Sequence, residues 1–136
     1  VSVCLWDPER NLGGMNHMLL PDRRSDAQQT LGSADMEKLI NALLRRGAKR
    51  ERLQAKLFGG AAMLEGKTAI GRINAEFALE YLEREGIPCL AKSTGGNQAR
   101  QVRFFPHTGK VKHRYVAENP DPPKARAVEL NDVELF

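Results

Sequence analysis

An α+β domain, built from short strands and two main helices, is what this chain predicts, and three patterns carry the prediction. Residues 1–6 alternate Val1, Val3 and Leu5 with Ser2, Cys4 and Trp6, the two-residue period of a strand. Two segments, around Met36 to Leu44 and Ile70 to Leu82, repeat their apolar residues at helical spacing instead. Between them, short apolar runs end at Gly, Pro or Asn, the residues that close strands.

The elements follow in order. Asp7-Pro8 breaks the first strand, Gly13-Gly14 reads as a connection, and Met15 to Leu20 reads as a second strand ended by Pro21, making a hairpin. Residues 22–33 are polar and small and read as a loop over a site. Met36, Leu39, Ile40, Leu43 and Leu44 then form one helix face. Ser33 reads as its N-cap, Asp35 and Glu37 fall in the first turn, and Gly47 stops it. Leu53 to Phe58 is a strand closed by Gly59-Gly60, and residues 61–67 are a loop. A second helix runs from Ile70 to Glu85 with Gly86 past its end. Ile87 to Ala91 is a strand that carries Pro88 near an end or edge, and residues 93–97 are a loop. Val102 to Phe105, the turn Pro106-His107-Thr108-Gly109, and Lys110 to Val116 make a longer hairpin. Residues 1–116 therefore read as one domain, and residues 117–136, with Pro120, Pro122 and Pro123, as an acidic C-terminal tail.

The 136 residues suffice for one core without a metal or disulfide staple. A hydrophobic share of 41% with 28% charged residues is that of a globular protein, and no apolar run approaches the ~20 residues of a membrane span. Cys4 and Cys89 have neither paired nor zinc-type spacing, which suits reduced thiols in the cytoplasm. No metal and no cofactor is expected. The net charge of +4 gathers at Arg45, Arg46, Lys49, Arg50, Arg52 and Lys56. A solvated helix end explains the cluster, since cations are favourable there, and no stacking aromatics interleave it as a nucleic-acid surface would require. A small RNA-binding domain is the minor reading left by that cluster.

His17 shares a strand face with Met15 and Leu19. A buried, hydrogen-bonded histidine is the commoner role for such a position, and the functional role needs a nearby thiol whose proton the imidazole takes. Cys4 is a visible candidate for that thiol, against its ordinary role as a small buried hydrophobe. Cys89 beside Pro88 is a weaker one. The pairs Gly59-Gly60 and Gly95-Gly96 either aim backbone amides at an oxyanion or simply turn the chain. Arg100 either holds a carboxylate or decorates a strand edge, and His107 and His113 read as exposed.

Taken in order, these motifs resemble one family, the CheD chemoreceptor glutamine deamidases. The resemblance rests on residues 3–7, on Gly13-Gly14-Met15-Asn16-His17-Met18-Leu19-Leu20-Pro21, on residues 47–64, on Ile70-Gly71-Arg72-Ile73-Asn74, on residues 94–100, and on residues 105–111. It implies a cysteine-type amide hydrolase, a protein-glutamine glutaminase that converts glutamines of methyl-accepting chemotaxis receptors to glutamate. It also implies a fold similar to the cytotoxic necrotizing factor catalytic domain, with packed mixed β-sheets flanked by the two main helices, and a CheC-type phosphatase as partner. The family's histidine falls on His17, as general base. Its nucleophilic cysteine, in a Gly-Ser-Cys motif, and its threonine fall ahead of Val1. A chain opening on Val-Ser-Val, without Met or leader, is accordingly expected to begin inside a strand with its N-terminal part missing. Leu31-Gly32-Ser33-Ala34 matches the family's segment before the first helix rather than the nucleophile motif. The alternative function is a non-catalytic binding partner and regulator of the CheC-type phosphatase. Neither reading involves nucleic acid or membrane insertion.

Overall fold

The computed structural model describes residues 1–20, 26–62, 68–116 and 134–136. Its elements run β1 (Ser2–Asp7), β2 (Leu12–His17), α1 (Asp26–Arg45), a 3₁₀ turn (Arg50–Arg52), β3 (Gln54–Gly59), α2 (Thr68–Arg84), β4 (Cys89–Thr94), β5 (Ala99–Phe105), β6 (Lys110–Val116) and β7 (Glu134–Leu135). Two sheets form: a four-stranded one in the order β2-β1-β3-β4 and a three-stranded one in the order β5-β6-β7. The first is mixed, because β1 pairs antiparallel with β2 and β3 while β3 pairs parallel with β4 across the α2 crossover. The α+β architecture expected from the sequence is therefore present.

Alternation along β1 divides the interior. Val3, Leu5, Ala55 and Leu57 turn to the helices and meet Met36, Ile40, Leu43, Ala78 and Leu82. Cys4 and Phe58 turn the other way, onto Val111, Val102 and Phe104 of the second sheet. Each large apolar side chain buried in these layers stabilises the fold by about 1.5–3 kcal/mol. The Tyr81 hydroxyl donates to Glu37, tying α2 to α1.

Several bounds differ from the sequence reading. Helix α1 begins at Asp26, so Ser33 lies inside it and caps nothing, and Leu31-Gly32-Ser33-Ala34 is helical rather than a lead-in. Polar composition suggested a loop there, but tertiary packing decides. Gly32 is buried against Phe77, whose Cε1 would lie 2.5 Å from a Cβ at that position. Residues 22–25, and 63–67 of the expected loop at 61–67, fall outside the described residues. Strand β2 starts and ends three residues earlier than expected. The Gly13-Gly14 pair is a strand segment, needed because a Cβ on Gly13 would come within 2.9 Å of the Leu5 and Pro106 carbonyls. The actual connection turns at Asn11, with φ of 50°. Strand β4 takes in Ser93 and Thr94, which read as loop, and β5 begins at Ala99. At the end of the chain, β7 pairs with β6, and Phe136 packs edge-on against Phe58 at 5.3 Å. Residues 117–133 of the expected tail fall outside the described residues. Among the described residues no helix is long and apolar enough to cross a membrane.

Candidate active site

A cleft of about 350 Å³ opens where the ends of β1, β2 and β3 meet the first turns of α2 and the edge of β5. Val1, Ser2, His17, Gly59, Gly60, Asn74 and Arg100 are among the residues on its wall. A close backbone approach lies in its wall, between Gly60 and Gly71. A Cβ on Gly71 would come within 2.6 Å of the Gly60 carbonyl carbon and nearer still to its oxygen, so only glycine lets α2 and the end of β3 touch. Gly60 itself needs glycine, with φ of 73°.

His17 ends β2 directly opposite Ser2. Its face is the open side of an edge strand, shared with exposed Met15 and Leu19, so the ring is exposed rather than a packed core histidine. The ladder continues one step beyond: Val1 N–H donates to Met18 O at 2.9 Å and Met18 N–H to Val1 O at 2.7 Å.

Arg100 reaches the cleft from the inner face of β5. Its Nε donates to Ser93 Oγ at 3.0 Å, and its guanidinium lies 5.0 Å over the Tyr115 ring. It is thus a fixed cation on the wall rather than a loose edge decoration. Asn74 is buried at 2% exposure, and its Oδ1 accepts the Leu20 N–H at 3.1 Å. Neither composition nor periodicity singled it out, because its importance comes from a residue 54 positions away.

The two glycine pairs meet each other. Gly95 N–H donates to Gly59 O at 3.0 Å, and Ala62 N–H to Gly96 O at 2.8 Å. All four glycines have positive φ, so the pairs are tight turns, of which Gly59-Gly60 also lines the cleft.

The cysteines stand apart from this chemistry. Cys4 is fully buried, and burial pushes its thiol up to about 12 despite the opposing charge of Lys56. It is therefore protonated and unreactive at neutral pH. Cys89 is half-buried and likewise raised by burial, and it does not line the cleft. His107 is exposed as expected, with its Nδ1 3.1 Å from Asn11 O. His113 is not exposed. Strand alternation turns it inward with Val111, and its ring meets those of Tyr115 and Phe136 edge-on, with centroids 4.8 Å and 5.3 Å away. Nearness to a turn misled the reading, because the two-residue period is set by Val111.

The basic cluster is only half solvated. Arg45, Arg46 and Lys49 are exposed. Arg50, in contrast, bridges Glu37 at 3.2 Å and Glu85 at 2.8 Å, while Arg52 holds buried Asp7 at 2.8 Å and Glu9 at 3.2 Å. Buried Lys56 donates to Gly109 O and Phe136 O, both at 2.8 Å. Three of the six cations thus brace the fold and are not offered to a polyanion. Among the described residues no group of His, Cys, Asp or Glu is arranged to hold a metal.

The family described as CheD chemotactic sensory transduction matches residues 19–115. The chain belongs to the CheD family. Relatives span it entirely: a protein of Caulobacter vibrioides is 47% identical over 148 residues, covering 100% of this chain and 79% of its own length. One of Cereibacter sphaeroides is 49% identical over 143 residues, covering 100% and 72%, and one of Agrobacterium fabrum is 41% identical over 149 residues, covering 100% and 82%. Each of these CheD proteins is named a probable chemoreceptor glutamine deamidase. Within the CheD family match lie Gly60, Gly71, Asn74 and Arg100 of the cleft wall.

Proposed function

We propose that this chain is a chemoreceptor glutamine deamidase, hydrolysing side-chain amides of receptor glutamines to glutamate with release of ammonia. Family membership and the names of relatives that cover the whole chain support the reading. The observation that carries the mechanism is His17, exposed on the cleft wall at the end of a rigid strand. His17 acts as general base toward a cysteine ahead of Val1, with a threonine further upstream. Strand register supports this assignment. Because Ser2 pairs with His17 and Val1 with Met18, a residue ahead of Val1 that continued the strand would lie opposite Leu19, on the same face as His17 and diagonal to it. Cys4 is a poor alternative, since its thiol is buried and protonated.

In this mechanism the thiolate forms a bond to the amide carbon, the carbonyl pair moves to oxygen, and the imidazolium protonates the departing nitrogen. Water then hydrolyses the thioester to the carboxylate. A glutamine amide is a poor electrophile, so the walls must hold it still. The reaction belongs in the cytoplasm, and a receptor helix is the partner that presents the glutamine. A CheC-type phosphatase is the second partner in this reading, and exposed Met15 and Leu19 beside His17 offer apolar surface for either.

The test incubates the full-length protein with a receptor peptide and follows ammonia and the amide-to-acid mass change. His17→Ala removes an exposed side chain, so its stability should stay within about 0.5 kcal/mol of the parent while deamidation is lost. Undiminished deamidation by His17→Ala would reject the mechanism. Retained phosphatase binding by the same variant would separate the two partnerships.

A further inference from the structure

The cleft wall contains one deeply buried polar side chain to which the mechanism above assigns no task. Asn74 is 2% exposed and borders the cleft with His17 and Arg100. Its orientation follows from its partner. The Leu20 backbone N–H can only donate, so the atom it meets at 3.1 Å must be the carboxamide oxygen, and the two N–H bonds of Nδ2 are directed elsewhere. With the oxygen engaged, Nδ2 is the polar atom that Asn74 offers to the cleft. The side chain is held from both ends of the contact: Leu20 is itself buried at 3%, and α2 is seated one turn earlier by the Gly71–Gly60 approach. A fixed donor on the cleft wall matches a ligand acceptor whose charge grows during reaction.

The geometry points to Asn74 Nδ2 as a hydrogen-bond donor to the carbonyl oxygen of the substrate glutamine side chain, stabilising the charge that oxygen acquires when the carbon is attacked. This inference rests on the deamidase reading. As the nucleophile's sulfur bonds to carbon, the carbonyl π pair moves onto oxygen. On collapse the double bond re-forms and the carbon–nitrogen bond breaks, with the proton for ammonia coming from the imidazolium. Asn74 donates a hydrogen bond throughout and transfers no proton. A donor at this position also distinguishes the two ends of a glutamine amide, since only the oxygen can accept from it. The bound amide is thereby turned with its leaving nitrogen away from Asn74.

Asn74→Asp tests this in the full-length protein, because the carboxylate keeps an acceptor for the Leu20 N–H in nearly the same shape while removing the donor. With a receptor glutamine peptide, kcat should fall by about 10²-fold or more, with KM little changed and the thermal unfolding curve close to the parent's. Asn74→Ala serves as the second variant, read per folded molecule, should the carboxylate disturb folding, and the same loss in kcat is expected. Parental kcat in either folded variant overturns the proposal. So does a loss that only tracks lowered thermal stability, which would make Asn74 a structural anchor. Absence of ammonia release by the unmutated protein would instead overturn the deamidase reading, and this inference with it.

Discussion

Replacing Gly71 with alanine sets helix propensity against tertiary contact, and the two predict opposite signs. Gly71 lies in α2 with ordinary helical backbone, so Gly→Ala should stabilise the helix by about 1 kcal/mol on propensity alone. The structure opposes this. The added Cβ would lie 2.6 Å from the Gly60 carbonyl carbon and 2.9 Å from its Cα, where carbon atoms normally keep about 3.5–4.0 Å. The obstruction is backbone, so no rotamer change relieves it, and the two segments must part by about 1 Å. Overpacking of this kind costs about 1–3 kcal/mol, leaving a net loss of up to about 2 kcal/mol after the propensity gain. For a chain of this size that lowers Tm by up to about 7 °C. The displacement also has a functional consequence. Asn74 follows one turn later, and drawing α2 back by about 1 Å stretches its 3.1 Å bond to Leu20 beyond hydrogen-bond range. Deamidation should fall by about 10²-fold, the usual effect of misplacing a catalytic wall by this much. Circular-dichroism melting and ammonia release measure both. A Tm raised above the parent's, with full activity, would refute the packing argument, since propensity would then have won.

Other outcomes follow from the buried groups. Asp7 is fully buried, and hydrogen bonds from Arg52 hold its carboxyl below the ordinary 3.8, at about 2, with the Lys49 and Glu9 amides adding to the effect. Its folded value is depressed, so it contributes stability that is present above pH 4 and is lost as pH falls toward 2. The contribution is about 1–2 kcal/mol once screening at the partly exposed Arg52 is allowed for. Asp7→Asn should lower stability at pH 7 and flatten the acid limb of a urea-denaturation series, and an unchanged limb would contradict this. Cys4→Ala should leave deamidation intact, and in the native protein Cys4 should resist a thiol reagent at pH 8, because its thiol is buried and raised to about 12. Rapid native-state labelling of Cys4 by peptide mapping would show that burial to be breached.

What could be read from the chain alone is what local periodicity encodes. Met36, Ile40 and Leu43 repeat at helical spacing, and β1 alternates, because each residue's facing follows from its position along a helix or strand. Both helices and the β5–β6 hairpin were legible on that basis, whereas the ordered motifs, one of them centred on His17, carried the resemblance to the CheD family. The start of α1 was not, since a polar stretch becomes helical only when Gly32 has Phe77 to pack against. His113 looked like a turn residue, yet the strand period carried it into the layer with Phe58. Arg50, Arg52 and Lys56 looked like one solvated cluster, although their partners stand up to 80 residues away. The cleft itself belongs to this second kind of information. It joins the Asn74 oxygen to the Leu20 amide, Gly60 to Gly71, and the face of His17 to that of Ser2. Such contacts form between segments distant along the chain, and their geometry is settled only when the sheets and helices close on one another.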